Sequence, residues 1–254
     1  MQIRVLGCSG GIGGDRHTTA LLLDDDILID AGSGVTRLTL DELARVDHVF
    51  ITHSHMDHIL GLPLLLDSVG AERGRPVTVH GLPEVLQILM DHIFNWRIWP
   101  DFARIPSPHA PFLAYQTLQP GQAVTLDTRS VTPIPAHHVV PACGYLLRGE
   151  GGGLLFSGDT ASHEALWTLA GSTPDLRHLI VETSFPNALE DLARASLHYH
   201  PRALAADLSA FRPDIPVWIT HLKPGSERLI MDELHAALPG RQVEALREEQ
   251  VFRF

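Results

Sequence analysis

Short apolar runs recur along this chain, separated by glycine, proline and acidic turns, and several of them end in a histidine or an aspartate. Runs of strand length, rich in Val, Ile and Leu, predict strands at 2–7, Thr18–Leu23, Ile27–Asp30, Val49–Thr52 and Val77–His80. Asp24-Asp-Asp26 reads as the turn between the second and third of these. A second set follows at Ala123–Leu126, Ser130–Pro135, Ala142–Leu147, Leu154–Ser157, Leu179–Glu182 and Val217–Thr220, with Glu150–Gly153 as a hairpin turn. Helical spacing predicts Val35–Arg45, Leu60–Leu66, Pro83–Phe94, His163–Ala170, Leu189–Ala195, Pro201–Ser209 and Glu227–Ala237. Two successive sets of strands, each followed by helices, predict an α/β fold of two stacked sheets with helices outside. No linker or low-complexity stretch interrupts the pattern, so residues 1–254 are read as one domain.

The glycine-rich stretch Gly7–Gly14 is only superficially a phosphate cradle. It lacks the lysine of a P-loop and no helix pattern follows it, so a loop between antiparallel strands is the better reading. Pro100–Pro111 is too rich in proline to sustain a helix, and Trp96, Trp99 and Phe102 beside it are packing residues or a pocket wall.

Composition changes the picture in two places. The apolar fraction of 44% and charged fraction of 19% are ordinary for a globular protein. A net charge of −11 argues against a protein built to grip a nucleic-acid backbone. Bound metal would offset that charge locally, which keeps an anionic small substrate admissible. Cys8 and Cys143 imply no disulfide framework. Met1–Gly7 does not read as a signal peptide, and no apolar stretch reaches the length of a membrane span. A cytoplasmic setting is therefore the default expectation. Histidine is the second outlier, with 16 in the chain.

The densest chemistry is Phe50-Ile-Thr-His-Ser-His-Met-Asp-His-Ile-Leu-Gly61, where His53, His55, Asp57 and His58 follow an apolar run. Alternate residues beyond a strand point the same way, so His53 and His55 face together, and a turn into a helix brings Asp57 and His58 round to them. Imidazole nitrogen and carboxylate oxygen at this density suit a borderline divalent metal such as zinc. Three further residues stand just past apolar strands: His138, Asp159 in Leu154-Leu-Phe-Ser-Gly-Asp159, and His221 in Val217-Trp-Ile-Thr-His221. Each alone has a structural explanation. The recurrence of one arrangement argues for several strands delivering ligands to one sheet edge.

His53-Ser-His55-Met-Asp57-His58, followed in order by His138, Asp159 and His221, resembles the metallo-β-lactamase superfamily across nearly the whole chain. The resemblance implies a four-layer αβ/βα sandwich of two mixed sheets, with a dinuclear site at one edge. Carried over, His53, His55 and His138 would hold one divalent ion, Asp57, His58 and His221 the other, and Asp159 would bridge. His138 is preferred to His137 because relatives place the ligand three residues before a Pro-Ala-x-Gly-Tyr segment, here Pro141–Tyr145. Zinc is the first expectation, and the same ligand types accept manganese or iron.

Within the superfamily, His92–Pro100, Val181-Glu-Thr-Ser-Phe-Pro186, His198 and Ile219-Thr-His-Leu-Lys-Pro224 resemble class II cyclic-nucleotide phosphodiesterases. Met56 and Pro63 depart from that pattern, as do Leu197 and His200, which stand where the class has glycine and threonine. The resemblance implies hydrolysis of 3′,5′-cyclic nucleotides, cyclic AMP and also cyclic GMP, to 5′-nucleotides by a metal-bridging hydroxide. Asp57 then counts among the catalytic residues. His198, a helix cap or surface histidine on the plainer reading, would protonate or stabilise the leaving ribose 3′-oxygen, oriented by Glu182. Asn95, Trp96, Trp99 and His200 are candidate substrate contacts, the tryptophans by stacking on the purine, with packing as their alternative. The expected partner is a small cyclic nucleotide, with no membrane and, as in relatives, a homodimer. Rival readings are a tRNA 3′-end processing nuclease, opposed by the acidic balance, and a lactone or arylsulfate hydrolase on the same scaffold. A metal-bearing binding protein without turnover is opposed by the presence of all seven ligands.

Overall fold

The expected strands pair into two seven-stranded sheets in the computed structural model, which describes residues 1–254. In chain order the strands are β1 (Gln2–Gly7), β2 (Ala20–Leu23), β3 (Ile27–Ile29), β4 (His48–Phe50), β5 (Val77–Gly81), a small hairpin of β6 (Pro106–Ser107) and β7 (Ala110–Pro111), and β8 (Leu113–Thr117). There follow β9 (Val124–Leu126), β10 (Arg129–Pro135), β11 (Cys143–Gly149), β12 (Gly152–Phe156), β13 (Leu176–Glu182), β14 (Val217–Thr220), β15 (Val243–Ala245) and β16 (Val251–Arg253). The first sheet runs β16-β1-β2-β3-β4-β5-β8 and the second β15-β14-β13-β12-β11-β10-β9. Each is antiparallel in one half and parallel in the other: β3, β4, β5 and β8 run parallel, as do β12, β13, β14 and β15. Every residue of β2, β3 and β12 is buried, as expected where sheets are covered on both faces.

The helices are α1 (Leu40–Arg45), α2 (Met56–Ile59), α3 (Gly61–Val69), α4 (Pro83–Ile88), α5 (Glu164–Ser172), α6 (Glu190–Ser196), α7 (Pro201–Ser209) and α8 (Glu227–Ala237). Leu62, Leu65 and Leu66 of α3 close the outer face of the first sheet, and Leu204, Leu208, Ile230 and Leu234 of α7 and α8 close the second. Between the sheets lie Ile3, Leu21, Ile29 and Phe50 from one and Tyr145, Leu154, Phe156 and Ile180 from the other. This is the expected four-layer αβ/βα sandwich. Tyr145 Oη crosses the sheet interface to donate to the Ile51 carbonyl at 2.7 Å, just below the histidine cluster. Burying such side chains contributes about 1.5–3 kcal/mol each. No helix is long and apolar enough to cross a membrane.

Two expected helices need correction, and three strands are added. Val35–Arg45 is not one helix: a 3₁₀ turn at Ser33–Arg37 ends at extended Leu38, and α1 begins anew. Thr39 and Glu42 form a reciprocal capping box there, which favours a fresh start over continuation. Pro83–Phe94 is α-helical only to Ile88 and continues as a π turn, Leu89–Ile93. The strands β8, β15 and β16 were not signalled by their pattern. β8 is half-exposed, and β15 and β16 are three-residue strands at sheet edges, so their apolar alternation is too short to stand out.

Candidate metal centre

Strand direction assembles the site. β4 lies parallel to β3 and β5 and stops at Phe50, and the chain continues extended to His55, the cap of α2. The single turn of α2 then carries Asp57 and His58 back toward His53. In the second sheet β12 and β14 are parallel, and β10 runs with them because two antiparallel steps separate it from β12. Their carboxyl ends therefore share one edge, where His138, Asp159 and His221 follow β10, β12 and β14.

The seven side chains converge. Donor atoms of His53, His55 and His138 lie within 4.8 Å of one another, and so do those of Asp57, His58 and His221. Asp159 joins the two sets: its Oδ2 stands 3.7 Å from His53 Nε2, 3.4 Å from His58 Nε2 and 3.1 Å from His221 Nε2. His55 Nδ1 is 3.3 Å from His138 Nε2, and Asp57 Oδ2 is 3.2 Å from His221 Nε2. Ligands sharing one tetrahedral zinc at about 2.0–2.1 Å stand about 3.3 Å apart, so these separations fit a metal-binding donor set. A second observation agrees: His53 Nε2 and His58 Nε2 are buried with no hydrogen-bond partner. Unpaired buried polar atoms are costly, and two aimed at one carboxylate oxygen fit a cation between them.

The Nδ1 atoms of His53, His58, His138 and His221 are all engaged. His58 Nδ1 donates to Asp30 Oδ2 at 2.7 Å, and Thr52 Oγ1 donates to the same carboxylate while standing 3.0 Å from His53 Nδ1. His138 Nδ1 donates to the Leu197 carbonyl at 3.2 Å, and His221 Nδ1 lies 2.9 Å from Ser184 Oγ. With Nδ1 held outward in His53, His58, His138 and His221, the Nε2 lone pairs of these four face the centre, the tautomer that metal binding requires, while His55 turns Nδ1 toward it. Burial lowers the pKa of His53 far below the ordinary value and also lowers those of His55 and His138. For His58 burial acts the same way, but Asp159 and Asp30 outweigh it and raise its pKa well above the ordinary value. Burial would raise Asp159, yet His221, His58 and His53 hold it well below the usual carboxylate range.

Beside the centre, His198 Nδ1 donates to Glu182 Oε1 at 2.6 Å, and its donor atoms lie within reach of Asp159 and His138. Glu182 is fully buried and also accepts from the Thr160 amide and Ser184 Oγ. Burial alone would lower the pKa of His198, but Glu182 and Asp159 raise it. Leu197 before it takes the left-handed conformation (φ 53°, ψ 52°), which glycine adopts without cost, so the substitution leaves this corner geometrically intact. Lys223, the single lysine in the chain, donates from Nζ to the Gly10 carbonyl at 2.7 Å. The glycine-rich loop thus packs against the His221 segment, and a Cβ at Gly10 would overlap the His221 carbonyl.

Four candidates lie elsewhere. His200 Nδ1 pairs with Asn187 Oδ1 at 3.1 Å, at the start of α7. Asn95 folds its own turn, its Oδ1 accepting from the amides of Arg97 and Ile98 at 2.9 Å each. Trp99 packs against the outer core of the first sheet. Trp96 is 60% exposed and, with Asn95, lines a cavity of about 750 Å³ that contains none of the clustered side chains. The aromatic segment has helix-terminating turn chemistry, which the residue types alone did not separate from ligand binding. Conversely, sequence reasoning missed Asp30, Thr52, Ser184 and the Leu197 carbonyl. Asp30 carried a usable signal, since it ends the apolar strand β3 as His221 ends β14.

Comparisons with known proteins agree with this outline. Residues 25–226 match the beta-lactamase superfamily domain. The 3′,5′-cyclic-nucleotide phosphodiesterase of Aliivibrio fischeri is 27% identical, over 86% of this chain and 80% of its own. The ribonuclease Z of Bacteroides fragilis is 29% identical, over 57% of this chain and 48% of its own. Unliganded yeast PDE1 superposes with a TM-score of 0.81 at 21% identity, covering 98% of both chains.

Proposed function

The chain belongs to the beta-lactamase superfamily and is a metal-dependent hydrolase of that fold, and we propose that it hydrolyses 3′,5′-cyclic nucleotides to 5′-nucleotides. The observation that carries this reading is the pair of donor sets joined by Asp159, with a buried His198–Glu182 pair beside them. His53, His55 and His138 would hold one divalent ion and Asp57, His58 and His221 a second, with Asp159 between them. Zinc is the first choice for so nitrogen-rich a set. A divalent ion there supplies Lewis acidity toward a phosphoryl oxygen and lowers the pKa of a water.

The remaining contributions come from the chain itself. Asp30, Thr52, Ser184 and the Leu197 carbonyl orient the rings of His58, His53, His221 and His138 toward the centre. Glu182 holds His198 at Nδ1 and leaves Nε2 free to give its proton to the ribose 3′-oxygen as that oxygen leaves phosphorus. A water oxygen bonds to phosphorus on the opposite side as the bond to the 3′-oxygen breaks, giving the 5′-monophosphate and a free 3′-hydroxyl. The proton that the water loses passes to solvent, from which His198 is reprotonated. The name of the Aliivibrio fischeri relative supports this substrate class. The ribonuclease Z relative favours a second reading, tRNA 3′-end processing, which the net charge of −11 opposes.

The test is incubation of metal-loaded protein with 3′,5′-cyclic AMP, cyclic GMP and a tRNA precursor, beside an EDTA-treated control, with products resolved by chromatography. Chelator-sensitive release of 5′-nucleotides is expected. Cleavage of the tRNA precursor alone would exchange the first reading for the second.

A further inference from the structure

A cavity of about 610 Å³ opens beside His138 at the ligand-bearing edge of the sandwich. Three segments wall it: Leu82–Glu84 after β5, Leu118–Pro120 after β8, and Ala136 with His138–Ala142 between β10 and β11. β5 and β8 run parallel to β4, so their carboxyl ends open on the same side as His53. Apolar and polar surface share the walls about evenly, and Val139, next to His138, is 52% exposed. The polar groups on the wall besides His138 are Glu84 and Gln119, both exposed. The volume lies in the range of small-ligand sites, about 300–1,000 Å³.

We propose that this cavity is the nucleobase subsite of the reaction, and that Glu84 makes it favour guanine over adenine. The inference rests on the cyclic-phosphodiester reading, because it takes the phosphate to be bound at the metal centre. A ribose is short, so the base must lie next to the phosphate, and His138 belongs to both the donor set and the cavity wall. The Asn95–Trp96 cavity shares no side chain with the centre and does not meet this condition. Val139 and Val140 offer apolar surface to the face of a planar ring. At the ring's polar edge, guanine presents two neighbouring donors, N1–H and the exocyclic amine, and an ionised carboxylate accepts both. Adenine presents an acceptor at N1, so the same carboxylate pairs with its amine alone. The Gln119 amide can donate to the guanine carbonyl.

The test is steady-state kinetics of the metal-loaded wild type, Glu84→Gln and Val139→Asp with three substrates. These are 3′,5′-cyclic GMP, 3′,5′-cyclic AMP and the methyl riboside 3′,5′-cyclic phosphate, which keeps the reacting ring and lacks the base. Both substitutions are at exposed positions, so folding is not at stake. The wild type is expected to prefer cyclic GMP and to use the baseless ester least well. Glu84→Gln should lower the cyclic GMP to cyclic AMP ratio in kcat/KM by about tenfold. Val139→Asp should raise KM for both nucleotides by about tenfold and leave the baseless ester unchanged. Equal kcat/KM for all three substrates, or variants that behave as wild type, would overturn the subsite and leave the phosphodiesterase reading standing. A wild-type preference for cyclic AMP that Glu84→Gln leaves in place would overturn the role of Glu84. No turnover of any of the three would remove the phosphodiesterase reading, and the subsite with it.

Discussion

Beyond the carboxyl end of β4, His53 and His58 turn their Nε2 atoms toward one oxygen of Asp159; within the same sheet, His48 and His80 turn toward each other. Both groups are imidazole-rich, and both contain a buried nitrogen without a hydrogen-bond partner, Nε2 in His53 and His58 and Nδ1 in His80. The surroundings differ. Around the first group three carboxylates converge, and Asp30 sets the tautomer from behind. In the second, His80 Nε2 lies 3.0 Å from His48 Nδ1, and the His80 ring stacks on Phe50 with centroids 4.1 Å apart and planes 5° from parallel. Imidazole density alone therefore does not make a metal centre. Carboxylate convergence on an unpaired nitrogen does, and the following substitutions probe that difference.

Asp159→Ala should have the largest effect, because it removes the oxygen that three Nε2 atoms share. Turnover should fall to background, elemental analysis should find less metal per chain, and added zinc should no longer raise Tm. Full metal content with full activity would erase the distinction between the two histidine groups. Glu182→Gln tests the neighbouring pair. It keeps the shape of a buried side chain but withdraws the charge that raises the pKa of His198. A fall in kcat of about 10²-fold is expected, with KM and metal content nearly unchanged. Loss of metal in step with kcat would instead make Glu182 a structural support of the centre.

The packed group should respond to acid instead. Burial lowers the pKa of His80 from 6.5 to about 3, so the folded protein keeps it neutral. Below pH 6.5 the unfolded chain binds a proton that the folded one refuses, so this contribution to stability is present in full above that pH and fades as pH falls toward 3. Between pH 7 and pH 5 the loss is roughly 2 kcal/mol at most. Denaturant unfolding of wild type and His80→Phe at both pH values measures it. The variant's stability should fall less on acidification, and equal slopes would mean that His80 is already charged in the folded state.

How much of this was legible in the sequence depended on how far apart the signals lay. The seven clustered side chains were readable because each follows an apolar strand, Asp57 and His58 through the single turn of α2, and parallel strands bring such ends to one edge whatever the loop lengths. Helices with clean spacing, α7 and α8, were placed to the residue. What escaped was local competition and backbone chemistry. Thr39 and Glu42 broke an apparently continuous helix, and Asn95 used its side chain to cap a turn. Asp30 went unread because an aspartate after a strand is also an ordinary turn residue, and its contacts with His58, at 2.7 Å, and Thr52 are what give it a role. The Leu197 carbonyl has no side-chain signature at all.

That carbonyl gives the smallest expected effect. Leu197 sits at φ 53°, where an L side chain costs about 1–2 kcal/mol, and its side chain is only partly buried. Leu197→Gly removes the strain but adds unfolded-state freedom of about 0.5–1 kcal/mol and gives up some apolar contact. The balance predicts stabilisation of about 0.5 kcal/mol, or a rise in Tm of about 1–2 °C. The backbone acceptor for His138 Nδ1 is retained, so metal content should not change. Calorimetry with elemental analysis on the same samples separates the two roles of this corner. A clear loss of stability would mean that the leucine side chain, rather than the turn, holds the corner. A loss of metal at unchanged stability would mean that the strained backbone is what aims the carbonyl at His138.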